Sequence, residues 1–150
     1  MLHRAFGDPV MEAVFSEAAT VEGWLRTEAA LARAQAACGE LEPERAEAIA
    51  AACRVDNIDL AALWADMANV GYPILPLVRQ LTERLPEHAR GSLHYGATTQ
   101  DIMDTGLSLQ LAAAVDRLAA LTDELGDALA RQVETHAETV MAGRTHGQQA

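Results

Sequence analysis

Apolar residues recur along this chain at spacings of three and four, the period of helices with one buried face, without the strict alternation of a half-buried strand. The punctuation agrees. Asp8-Pro9 sets a cap before a proline at the first helical position and predicts a short helix through Phe15. Ser16 caps a longer helix that carries Trp24, Leu25 and Leu31 to about Cys38 and closes at Gly39. Pro43 opens a third helix to about Cys53, and Asp56 to Asp59 lead into a fourth, with Leu60, Leu63 and Met67, that stops near Gly71. A fifth covers Ile74 to Leu85, where Pro76 is tolerated in the first turn because its missing N–H would be unpaired there anyway.

The stretch from His94 to Gln100 breaks the rhythm, since Gly96 and a Thr-Thr pair interrupt helix without supplying strand alternation, and it is expected as a loop. Beyond it Leu107, Leu111, Ala114, Leu118, Leu121, Leu125 and Ala128 alternate spacings of four and three, a seam of the coiled-coil kind. Continued to about His136 at roughly 1.5 Å per residue, that helix exceeds about 50 Å. Nothing else in the chain is long enough to cover it, so its partners are expected in further sequence or in other subunits. Val140-Met141 is expected as a short extended piece. The predicted class is all-α: an N-terminal helical domain over 1–100, then, over 101–150, the first long helix of a central helical bundle. The chain stops in a polar loop, Gly143 to Ala150, and reads as the N-terminal part of a longer protein.

Composition narrows the partners. Half of the 150 residues are hydrophobic but only 4% are aromatic, and about a fifth are alanine, which suits helices packed at close range. Acidic residues number 22 against 11 basic ones, for a net charge of −11, and every basic residue is arginine. Such a surface is a poor match for nucleic acid or anionic membranes, where cations supply the affinity. No apolar run reaches the roughly 18 residues of a membrane span, and no signal-peptide order is present at the N-terminus, so a cytoplasmic location is expected. Cys38 and Cys53 sit in Ala-rich helical stretches with no CxxC or Cys/His cluster, and are expected as buried, reduced thiols, with no metal and no cofactor.

Two segments carry polar groups beyond structural need. In His94-Tyr95-Gly96-Ala97-Thr98-Thr99-Gln100-Asp101 a glycine-containing turn feeds a helix N-terminus, whose free N–H groups favour a carboxylate or phosphate. Thr98 and Asp101 also have the spacing of a capping box, and on spacing alone a well-capped helix is the more economical account. In Arg144-Thr145-His146-Gly147-Gln148 a histidine between threonine and glycine offers a titratable group with donors beside it. His3, His88 and His136 read as solvated or helix-terminal. No Ser-His-Asp arrangement, phosphate-binding loop, dinucleotide fingerprint or metal-ligand spacing occurs.

These two segments, with Ile102-Met103-Asp104-Thr105 and Gly143, resemble the first and second signature regions of the aspartase/fumarase superfamily. Phe6-Gly7-Asp8-Pro9, Glu28 to Gln35 and Ile74 to Leu81 are similar to its 3-carboxy-cis,cis-muconate cycloisomerase branch, so the resemblance spans nearly the whole chain. It implies removal of a proton beside a carboxylate of a succinyl substrate, a stabilised dianion, and expulsion of the neighbouring group, commonly leaving fumarate. By the same resemblance Thr98, Thr99 and Gln100 bind a substrate carboxylate, His94 and Gln148 line the site, and Thr145 with His146 forms the catalytic pair that holds substrate and protonates a leaving nitrogen. The family's general base, a serine in a third signature region, has no counterpart in this chain, and residues 1–150 alone are expected to be inactive. The implied assembly is a homotetramer with shared sites.

Departures point between branches. Bacterial cycloisomerases carry Trp where this chain has His146. Adenylosuccinate lyases carry an Arg-His-Asp motif where this chain has Asn69-Val70-Gly71-Tyr72-Pro73, and an Arg-Tyr pair where it has Arg4-Ala5. The expected function is a fumarate-releasing lyase for a small succinyl compound with a nitrogen leaving group. Carboxymuconate cycloisomerase is the alternative, and a non-catalytic helical assembly module is the alternative of another class.

Overall fold

The structure, a computed structural model, describes residues 6–149, less the side chains of Thr145 and Gln149. His3, Arg4 and Ala5 lie outside the described residues. The fold is all-α apart from one two-stranded hairpin. Helices α1 (Pro9–Val14), α2 (Glu17–Ala37), α3 (Pro43–Ala52), α4 (Leu60–Val70), α5 (Ile74–Arg84) and α6 (Thr99–His136) follow in order, then strands β1 (Arg144–Thr145) and β2 (Gln148–Gln149). The chain divides into two compact units, Met1–Ala114 and Val115–Ala150.

The sequence signals for helix ends act as predicted in the first unit. The Asp8 carboxylate accepts from Met11 N at 3.0 Å, Ser16 Oγ from Ala19 N at 3.2 Å and Asp59 Oδ1 from Ala62 N at 3.0 Å, each satisfying a donor the helix leaves unpaired. At the far end of α2, Gly39 takes φ 77°, its N–H reaches Ala36 O, and Glu40 N reaches Gln35 O at 2.9 Å. That is the Schellman closure, and the left-handed residue in it favours glycine. Short 3₁₀ turns at Val55–Asn57 and Glu87–Ala89, which the hydrophobic pattern does not announce, carry the chain into α4 and on from α5.

The core draws on every helix of this unit from α2 onward. Val21, Trp24, Leu25 and Ala32 of α2 meet Ala46 and Ile49 of α3, Leu63 of α4, Ile74, Leu77 and Leu81 of α5, and Ile102 of α6. Trp24 and Trp64 contact edge to face with centroids 6.0 Å apart, and Trp64 Nε1 donates to Glu17 at 3.0 Å, so the rings pack together with the Trp64 donor satisfied. Helices α2 and α6 touch backbone to backbone. A methyl group built on Gly23 would lie 3.2 Å from Gly106 Cα and O, and one on Gly106 would lie 2.7 Å from Trp24 Cδ1.

Several expectations need correction. Helix α6 starts at Thr99, so Thr99 and Gln100 belong to its first turn and not to the loop. Cys38 is exposed, because α2 ends at Ala37 and leaves it at the cap; Cys53 is half-buried, and burial pushes its thiol up to about 12, where thiolate chemistry is shut off at neutral pH. In the seam, Ala114 is buried within the first unit, whereas Leu107 and Leu111 are about half exposed. In the second unit Leu118 and Leu125 of the expected seam are exposed, as are Val115, Leu129 and Val133 of the same helix, while Leu121 and Ala128 are half-buried. None of the described residues of this unit is buried. The extended piece comes after Val140-Met141, at Arg144–Thr145 and Gln148–Gln149.

Candidate active site

Helix α2 holds the His94–Thr98 loop from one face. Glu28 and Gln35 lie seven residues apart, two helical turns, with buried Ala32 between them on the same side. Gln35 Nε2 donates to the Tyr95 carbonyl at 2.7 Å. Glu28 Oε1 lies 2.6 Å from His94 Nδ1, and the two side chains are 0% and 21% exposed respectively. His94 adopts φ 60°, an uncommon backbone for a non-glycine residue. Glu28 Oε2 is buried with no hydrogen-bond partner. Neither clamp was assigned a role from sequence. The available signal was a carboxylate on the apolar side of a helix, between Leu25 and Ala32.

Burial pushes the Glu28 carboxyl above its ordinary value of 4.5, a rise that the neighbouring His94 opposes but does not cancel. An acid raised in the folded state contributes stability that is complete below pH 4.5 and is lost as pH climbs through the folded-state value. Relative to a Glu28→Gln variant, the wild-type protein is therefore expected to lose thermal stability progressively above pH 4.5. Melting curves of both between pH 4 and 8 check this; a constant offset would contradict it.

At the loop's exit, Thr98 N donates to Asp101 Oδ2 at 2.9 Å, the return half of a capping box. Gln100 Nε2 donates to Asp104 one turn along α6. These two donors are thus occupied locally, while the Thr98 and Thr99 hydroxyls have no hydrogen-bond partner among the described residues. Thr98 and Gln100 are exposed and Thr99 is half-buried. An open cleft of about 370 Å³ beside the loop is lined by Gln35, Arg45, Ser92 and Tyr95 among others, and not by the threonines.

The remaining predicted residues belong to the second unit. Arg144 pairs with Gln149 and Thr145 with Gln148, leaving His146 and Gly147 as the two residues of a hairpin turn. Both have positive φ, 44° and 82°, as a type I′ turn demands. His146 and Gln148 are exposed. The first unit thus brings together His94, Thr98, Thr99 and Gln100, and the second brings together Thr145, His146 and Gln148. Among the described residues no group of three or more His, Cys, Asp or Glu is placed to hold a metal ion.

The lyase family profile matches residues 5–150. 3-Carboxy-cis,cis-muconate cycloisomerase from Pseudomonas putida is 43% identical over 144 residues, covering 93% of this chain and 34% of that protein. The chain belongs to the aspartase/fumarase superfamily. A second member, the adenylosuccinate lyase of Methanocaldococcus jannaschii, is 34% identical over 145 residues, covering 97% of this chain and 31% of its own length. Among solved structures, the 3-carboxy-cis,cis-muconate lactonizing enzyme of Pseudomonas putida superposes with a TM-score of 0.95 at 40% identity, covering 99% of this chain and 35% of that one. This superfamily chain therefore spans about a third of the length of the relatives it matches, and the muconate cycloisomerase-like branch is its neighbourhood. No helix among the described residues is long and apolar enough to cross a membrane.

Proposed function

We propose that the complete protein is a β-elimination lyase that releases fumarate from a small succinyl compound with a nitrogen leaving group. The observation that carries the reading is the His94–Thr99 segment: a loop clamped by α2 that presents two threonine hydroxyls, without partners among the described residues, at the head of a 38-residue helix, in a chain matched almost throughout by a lyase family. Hydroxyl donors fixed in advance at a developing carboxylate dianion stabilise charge without reorganisation during the reaction. Thr98 and Thr99 bind one substrate carboxylate, with His94 and Gln100 beside them. His146, with Thr145 and Gln148 on the same hairpin, protonates the departing nitrogen. The proton-abstracting serine comes from a region of the superfamily with no counterpart in this chain. Self-association, most simply as a homotetramer, covers the exposed apolar residues of α6 from Leu107 to Val133, and a small dicarboxylate is the ligand.

Thr98→Val and Thr99→Val, made in the complete protein, are each expected to weaken inhibition by succinate or fumarate roughly tenfold, the cost of losing one hydrogen bond to a charged group. The far-ultraviolet circular dichroism should stay unchanged. Unaltered inhibitor affinity would remove these hydroxyls from the site. A second reading, carboxymuconate cycloisomerase, is favoured by the 43% identity to the Pseudomonas putida enzyme. Product analysis against a panel of substituted succinates and carboxymuconate separates the two.

A further inference from the structure

Among the described residues Glu28 is the buried carboxylate of the first unit's core, 1% exposed on an Ala-rich helix, and a buried acid costs stability unless its partners compensate. Among the described residues its one hydrogen-bond partner is His94 Nδ1 at 2.6 Å, and its second oxygen has none. The histidine is itself held in an uncommon left-handed backbone at the head of the loop. A residue needed only to fill this space would serve better as leucine, with no orphaned oxygen and no penalty above pH 4.5. The surplus cost points to a task performed through the histidine. Because Nδ1 is engaged by Glu28, the atom that the imidazole can offer elsewhere is Nε2, for which the described residues supply no partner.

We propose that Glu28 is a positioning residue: its buried carboxylate locks the His94 ring through Nδ1 so that Nε2 is the atom offered to a bound substrate carboxylate. The proposal rests on the reading of the loop as a carboxylate site. Gln35 holds the same loop only by a main-chain carbonyl, so it fixes the path of the backbone and leaves ring orientation to Glu28.

The test uses the complete protein with succinate as the probe, its affinity measured by calorimetry, alongside thermal melts. Glu28→Leu should melt at or above the wild-type temperature yet bind succinate roughly tenfold or more weakly. Glu28→Gln, which keeps a partner for Nδ1, should restore affinity to within about threefold of wild type. A merely structural role would move stability and affinity together and would give no such rescue. Wild-type affinity in the leucine variant, or an equal loss in the glutamine variant, overturns the proposal alone. Failure of the wild-type protein to bind succinate overturns the carboxylate reading and this proposal with it. Should the leucine variant not fold, a crystal structure of the wild-type succinate complex decides: Nε2 of His94 within hydrogen-bond distance of the ligand supports the proposal, and a ring turned away overturns it.

Discussion

Replacing His146 by alanine in the complete protein is expected to slow fumarate release from an amine-bearing succinyl substrate by about two to four orders of magnitude, the usual worth of a general acid. An amine leaves poorly as an anion, so the elimination depends on a proton arriving as the carbon–nitrogen bond breaks. His146 stands on a two-residue turn with its ring exposed. Alanine also strains the turn, since position 146 takes φ 44°. His146→Asn is the cleaner comparison: asparagine tolerates the left-handed region and cannot act as an acid at neutral pH. Equal rate losses in the two variants place the effect in proton transfer. A near wild-type rate for His146→Asn would make the histidine a bystander and favour the cycloisomerase reading. The substrate's KM should change much less than kcat, because the lost interaction belongs to the transition state.

Gly106→Leu is expected to destabilise the first unit by about 3 kcal/mol or more, the upper range for overpacking. A Cβ at this position meets Trp24 Cδ1 at 2.7 Å and the backbone of Gly23 and Trp24 at 3.3 Å. Trp24 cannot yield, being 5% exposed and packed against Trp64 and the core. The helices would have to separate, and the contacts between α2 and the first turns of α6 would loosen with them. Leucine is a far better helix former than glycine, by close to 1 kcal/mol per residue, so propensity alone predicts the opposite sign. Urea or thermal unfolding of wild type and variant distinguishes the two; an unchanged or raised midpoint would mean that the crossing is not tight.

Helix existence and helix ends were legible because their causes are local. Asp8-Pro9, Ser16, Asp59 and Gly39 each act within four residues of where they stand, and the structure uses them as the sequence implied. What escaped depends on elements far apart in sequence. The contact of Gly23 with Gly106 is invisible in either helix by itself, since an isolated glycine in a helical pattern reads as a small local penalty. Glu28 and Gln35 reach 66 and 60 residues ahead to the loop they clamp. In the candidate site the residue types were legible from the signature motifs. The competing local bonds of Thr98 with Asp101 and Gln100 with Asp104 became visible only in three dimensions.

The left-handed histidines have a consequence for anyone who sets out to stabilise this protein. His94 and His146 are the non-glycine residues with positive φ among those described, and each holds an uncommon backbone at a cost of order 1 kcal/mol or more. A library selected for thermal tolerance alone will tend to enrich glycine or asparagine at both positions, because either relieves the strain. Every such winner would discard a ring nitrogen from one of the two candidate segments. Heat-selected clones should therefore be screened for turnover before they are combined, with positions 94 and 146 held fixed in the design.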